Sequence, residues 1–195
     1  STFRSCSVVV AGPDFVLVVL YSGPACPPSA LVAVVVGLGS VGLVADPSRG
    51  NGAICLAISP HMKERGIKNR CRVWEIPKNI HPIVAKPRMK LYIKYSAKIY
   101  SIYLKYISKD DIHPYSIDEM FLDITDYLKL YNKTPIEMAT MLMNEIYINT
   151  GISSAAGIGT NLYLTKVALD ILAKHEPNHI AYLDEELYKE KLWHH

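Results

Sequence analysis

Two adjacent carboxylates, Asp118 and Glu119, stand in the run HPYSIDEMFLDIT spanning residues 113–125. Apolar residues flank them, Ile112 and Tyr115 before, then Met120, Phe121, Leu122 and Ile124 after. Period-2 patterning bounded by polar residues reads as two short strands with a tight connection. Neighbouring residues on a strand point to opposite faces. The two carboxylates can serve one ion together only where the backbone bends, at a turn or bulge. Placed so, an Asp-Glu pair suits a hard divalent cation such as Mg²⁺, which takes oxygen ligands and keeps waters or phosphates on its other positions. A solvated hairpin tip is the plainer explanation of an acidic turn. Asp123, five residues beyond Asp118, reads as structural.

Two further runs follow the same order and spacing as a known family. GIGTNLYLTKVALDILAKHEP, from Gly157 to Pro177, reads as a strand, a turn and a Lys-bearing helix. DPSRGNGAICLAISPHMKERGIKN, from Asp46 to Asn69, is the third. With YSIDEMFLDIT, they resemble the catalytic hairpin, the signature after it and the fingers segment of the translesion DNA polymerases of the UmuC/DinB type (Y-family, ImpB/MucB/SamB-like). The resemblance covers roughly residues 44–195. It implies nucleotidyl transfer with two Mg²⁺ ions, primer-template DNA and deoxynucleoside triphosphates as partners, and a sliding clamp as a further candidate. It matches Asp118 and Glu119 to metal ligands. It matches Lys174, in LAK, to a triphosphate contact, and Lys63, in HMKERG, to a basic residue over the β and γ phosphates. Lys166 is a third triphosphate candidate, explained equally well as a surface helix lysine. Gly157 and Gly159 suggest a tight turn, either structural or bringing backbone close to substrate or template. One rival enzyme class is a nucleotidyl cyclase, which shares a two-metal palm, although the DPSRGNG run argues against it. The other rival is a non-catalytic fragment that binds DNA or a partner.

The N-terminal segment departs from that family. Its pattern places an Asp at the end of the first strand, followed by an aromatic gate. Aligned back from Gly37-Leu38, the Asp position falls near Gly23 and the aromatic pair near Pro27 and Pro28. Asp14 is the single acid before residue 46. The Val, Ala, Gly and Pro bias of residues 1–44 contrasts with a Lys-, Ile- and Tyr-rich remainder, so a reading error there is one explanation. The chain as written is expected to be inactive or nearly so in DNA synthesis. The family continues into a thumb and a DNA-gripping domain, and the last residues, LWHH, are expected at the thumb's start, with His194-His195 a truncation point or tag remnant.

Half of the 195 residues are apolar and a fifth charged, an ordinary globular balance. Residues 61–110 hold thirteen Lys or Arg against three acids, a net of +10 within a chain of +3. Such asymmetry suggests a polyanionic partner. For Lys94, Lys98 and Lys105, a solvated helix face explains the charge as well. Cys6, Cys26, Cys55 and Cys71 show no CxxC pair and no zinc spacing, and read as reduced thiols of a cytoplasmic protein. The apolar run 31–45 falls short of the ~20 residues of a membrane span.

The elements that must position these residues can also be read. FVLVVLY (15–21) suggests a buried strand, and residues 53–58 and 72–76 two more. Pro60 and Gly66 bracket one or two helical turns. Residues 87–107 form a long helix with a Tyr stripe turned to the core. Thr134 and Glu137 open a helix over 135–149 with a capping box. A strand over 154–158, a helix over 161–174, a strand over 180–183 and a last helix from Asp184 complete the series. The fold class is α+β. The order βαββαβ is the ferredoxin-like layout, with a small fingers subdomain inserted after the first strand. Residues 1–30 and 88–183 are assigned to the palm, 31–87 to the fingers and 184–195 to the start of the thumb.

Overall fold

The computed structural model describes residues 7–11, 42–68, 70–152 and 154–193, with 7–11, Pro60 and Lys174 described by backbone alone. The chain divides into two compact units, Ser1–Pro13 with Ile93–His195, and Asp14–Tyr92.

The first unit is built on five strands, β1 (Ser7–Ala11), β5 (Ile112–Pro114), β6 (Glu119–Asp123), β7 (Ala155–Gly159) and β8 (Ile180–Leu183), in the order β5-β6-β1-β7-β8. All pairings are antiparallel except β7 with β8. The centre of β1, Val9, sits opposite Phe121 on one side and Gly157 on the other. β7 is buried at every position, which requires cover on both faces of the sheet. Helix α4 (Pro135–Thr150) packs on β7 and β1, and α5 (Leu162–Val167) also packs on β7. Phe121, Ala155, Leu164, Leu169, Ala181 and Leu183 share one core cluster.

α4 begins as the sequence requires. Thr134 Oγ1 accepts from Glu137 N, the Glu137 carboxylate accepts from Thr134 N at 2.8 Å, and Pro135 takes the first helical position. Gly151 ends it at φ +71°, a conformation costly for residues with a Cβ. Met138, Ala139, Leu142 and Ile146 form its buried stripe. β8 spans the anticipated Ile180–Leu183, and Asp184 caps α6 (Glu185–Lys191) by accepting from Leu187 N at 2.9 Å.

The second unit has a three-stranded sheet in which β2 (Gly42–Val44) lies between β3 (Ala57–Ile58) and β4 (Ile83–Ala85). Helix α1 (Pro60–Glu64) has Pro at its start, and Gly66 at φ +79° lies just beyond its end. Leu43, Ala53, Cys55, Ile58, Met62 and Cys71 belong to its core. Both cysteines are free thiols, as their spacing suggests. Burial, then the hydrogen bond to Cys71, pushes the Cys55 thiol up to about 12.

Several expectations need correction. The first strand of the five-stranded sheet is Ser7–Ala11, and FVLVVLY lies outside the described residues. Residues 53–58 reduce to the two-residue β3 and an isolated Ile54–Arg72 bridge. Residues 72–76 turn into a 3₁₀ segment, Val73–Glu75, because the Glu75 carboxylate takes the Arg72 N–H at 2.8 Å, as a helix cap does and a strand ladder does not. The long helix, α2, runs from Met89 to Tyr103, and α3 (Thr125–Tyr131) was not anticipated. On α2 and beyond, Tyr92, Tyr95, Ile99 and Tyr106 are half-buried and Ile102 buried, while Lys94, Lys98 and Lys105 are exposed. The stripe faces inward; Lys94 and Lys105 belong to a solvated face, and Lys98, also exposed, donates from Nζ to the Asn149 carbonyl. Beyond α5 the chain continues as a π-helical turn, Ala168–Leu172, and a 3₁₀ turn, Ala173–His175, instead of one regular helix to residue 174.

Candidate active site

β5 pairs with β6 through Ile112–Leu122 and Pro114–Met120. The chain between them bends over Ser116–Asp118. Two N–H groups, of Tyr115 and Ser116, donate to the Glu119 carbonyl at 2.9 and 3.1 Å and close the hairpin. Asp118 therefore ends the bend and Glu119 opens the strand that follows it. Ser116 Oγ donates to Asp118 Oδ1 at 2.6 Å and orients that carboxylate. Glu119, the first residue of β6, lies opposite Ala11, the last of β1. Both acids are half-buried.

A cation already sits on Glu119. Lys166 of α5 donates from Nζ to Glu119 Oε1 and reaches Asp170 Oδ2 at 3.3 Å. The same ammonium lies 5.8 Å from the ring centre of Tyr115, which packs edge-on against Phe121 at 5.4 Å. Burial pulls the Lys166 pKa down, but the hydrogen bond and charge of Glu119, then those of Asp170, outweigh it. The net shift is upward, so the ammonium is fully charged at neutral pH.

Two glycines let α5 come this close. A Cβ on Gly157 would lie 2.3 Å from the Thr165 carbonyl oxygen and 2.6 Å from Leu169 N, and one on Gly159 would lie 2.6 Å from Thr165 N. These positions are in β7, so they act by permitting contact between helix and strand, and the tight-turn reading is set aside. Asn161 starts α5, its Oδ1 accepting from Leu164 N at 2.9 Å.

Asp118, Glu119 and Lys166 thus share one region of the first unit. Lys63 is an exposed residue of α1, in the second unit. Lys174 lies in the 3₁₀ turn after α5. The second unit holds a cavity lined by Asp46, Arg49, Ala53, Ile54, Leu56 and Pro87. Sequence reasoning passed over Ser116, Tyr115 and Asp170. Asp170 had a legible signal, its i+4 spacing from Lys166, and Ser116 had the Ser-x-Asp turn pattern. The end of β1 that lies opposite Glu119 is Ala11. Gly23 and Asp14 lie outside the described residues.

Two half-buried carboxylates on a bend fit a Mg²⁺ ion that completes its shell with water and phosphate oxygens. The ammonium on Glu119 marks the same place as one where positive charge is held. No group of three or more His, Cys, Asp or Glu side chains that could hold a metal ion occurs among the described residues.

Residues 32–170 match the family described as "impB/mucB/samB family". The chain belongs to this family. Its matched stretch holds Lys63, Asp118, Glu119 and Lys166, and Lys174 falls just past its end. The chain is 38% identical over 149 residues to a protein of Bacillus subtilis named "DNA polymerase IV 2", and 35% identical over 149 residues to one of the same name from Halalkalibacterium halodurans. Each alignment covers 76% of this chain, and 35% and 36% of the relatives. The chain therefore spans about a third of the length of these relatives. In fold it is similar to DinB from Sulfolobus solfataricus, with a TM-score of 0.69 at 22% identity, over 95% of this chain and 50% of that one. A Y-family DNA polymerase chimera gives 0.74 at 20% identity, again over 95% and 50%. Helix and strand in an α+β arrangement of impB/mucB/samB type is thus the fold of the chain.

Proposed function

We propose that this protein carries the palm and fingers of an error-prone translesion DNA polymerase, which joins deoxynucleotides opposite damaged template bases. The observation that carries this reading is the Asp118–Glu119 pair on the bend before β6, beside the central strand, with an ammonium on Glu119. Membership of the impB/mucB/samB family and the relatives named DNA polymerase IV support it.

Asp118 and Glu119 would hold Mg²⁺, two ions in the active state, and Ser116 orients Asp118. Bound there, Mg²⁺ would draw charge off the attacking and leaving oxygens of the transferred phosphoryl group. Lys63, Lys166 and Lys174 bind the triphosphate, where an ammonium is a compact partner for phosphate oxygens. The basic stretch 61–110 takes the primer-template backbone, with a sliding clamp as a further partner. The strand order β5-β6-β1-β7 supports reading the sheet as a ferredoxin-like palm, which we place over 1–30 and 88–183, with fingers over 31–87 and the start of a thumb from 184. The protein acts in DNA damage tolerance in the cytoplasm. No described helix is long and apolar enough to cross a membrane.

The test is Mg²⁺-dependent primer extension by the full-length polymerase carrying Asp118→Ala or Glu119→Ala. Loss of a metal-holding carboxylate should lower the rate on the order of 10³-fold or more, with an unchanged circular dichroism spectrum. Near-normal extension by either folded variant refutes the reading.

A further inference from the structure

Resting on the reading of Asp118–Glu119 as the metal pair, we infer that Lys166 is a resident counter-cation of that site. It holds Glu119 neutralised before a divalent ion arrives and then shifts to Asp170 when the ion takes the carboxylate. In the state without nucleotide, Lys166 would act as a positioning residue that sets the affinity of the site for metal through Glu119.

Three observations carry this. The Glu119 side chain is less exposed than that of Asp170, 18% against 45%. A half-buried carboxylate with no cation is costly, because it loses water without gaining a partner. Lys166 fills that need across the sheet, 47 positions from Glu119 in the chain. Second, the same Nζ already lies 3.3 and 3.4 Å from the two oxygens of Asp170. A small rotation of a flexible side chain exchanges one carboxylate for the other and never leaves the ammonium bare. Third, the path is apolar on one side, with the Tyr115 ring 5.8 Å from Nζ. The face of the ring supports a cation there without supplying a competing oxygen. A dication on Glu119 and an ammonium on the same oxygen repel steeply at such short range, so the two occupants exclude each other.

Competition makes a prediction opposite in sign to that of simple scaffolding. The probe is Mn²⁺, titrated into the full chain without DNA or nucleotide, with the free ion counted by electron paramagnetic resonance. Lys166→Met should tighten Mn²⁺ binding roughly tenfold, because a resident charge is gone, whereas Lys166→Arg should stay near wild type. Asp170→Asn should weaken binding, because Lys166 loses its second anchor. That weakening should vanish when Asp170→Asn is made in the Lys166→Met background, and this non-additivity separates an effect through Lys166 from a general change in field. Unchanged or weaker binding by Lys166→Met overturns the inference, as does an Asp170→Asn effect that survives in the Lys166→Met background. Glu119→Gln distinguishes the two levels. If it abolishes binding while Lys166→Met fails to tighten it, the counter-cation is wrong and the metal pair stands. If Glu119→Gln leaves binding untouched, the metal pair itself is wrong, and the inference falls with it.

Discussion

The two compact units place their charged residues in opposite ways. In the sheet unit, Asp118, Glu119 and Lys166 are half-buried, and the polar groups around the hairpin are tied pairwise: Ser116 to Asp118, Lys166 to Glu119 and to Asp170. In the other unit, residues 42–92 carry ten Lys or Arg against three acids, and most of these bases are exposed. The first arrangement fixes geometry, so one substitution should remove most of a function. The second supplies a field, so each charge should matter little and salt should matter a great deal. Arg72 is an exception within the basic unit. Its guanidinium donates to the Gly52 carbonyl at 2.9 Å and its N–H to Glu75, which makes it a structural residue.

The sharpest way to break the contrast is to disturb the sheet unit where helix and strand approach most closely. Gly157→Val would put a side chain into the Thr165 carbonyl, 2.3 Å from the ideal Cβ position. Backbone has to move, and a loss of about 3 kcal/mol or more is expected. Urea denaturation checks it, and a variant within about 0.5 kcal/mol of wild type would mean that α5 does not depend on close approach to β7.

In the basic unit the expected effect is smaller and of another kind. Arg65 and Lys68 are exposed and probe this field. Reversing both to Glu should flatten the dependence of primer-template affinity on salt, by roughly one unit of log–log slope for each phosphate no longer neutralised. Folding should not change. An unaltered slope would make this face ordinary solvated surface, and the contrast between the units would lose its functional meaning.

The smallest effect calibrates the sheet unit away from its site. Thr134→Ala removes the cap of α4 and should cost about 1 kcal/mol of stability with no change in metal affinity. A drop in metal affinity in that variant would show that the site is coupled to the fold as a whole.

What was legible in the sequence follows from range. The cap of α4 was readable because Thr134 and Glu137 answer each other across three residues. The hairpin was readable because its alternation and its bend are local. The Lys166–Glu119 ion pair was not, because it spans 47 positions and depends on how closely a helix lies on a strand. The glycines that allow this look like turn residues in the sequence and serve as flat strand surface in the fold. β4 escaped notice because His81-Pro82 and Lys86-Pro87 hem in its three residues, and prolines demote a strand signal. β1 escaped notice because SVVVA is a short apolar run beside FVLVVLY, and its place in the sheet is set by pairing with the distant β6 and β7.

The central claim is that Asp118 and Glu119 together hold a divalent cation. Paramagnetic broadening of backbone amide resonances by substoichiometric Mn²⁺ locates the ion directly. Signals from residues 115–120 should vanish first, followed by those around Lys166, and the Asp118→Asn, Glu119→Gln double variant should keep them all. The protein carries two other runs of adjacent acids, Asp110–Asp111 and Asp184–Glu185–Glu186. Broadening centred on either of these, or broadening at 115–120 that persists in the double variant, would contradict the account.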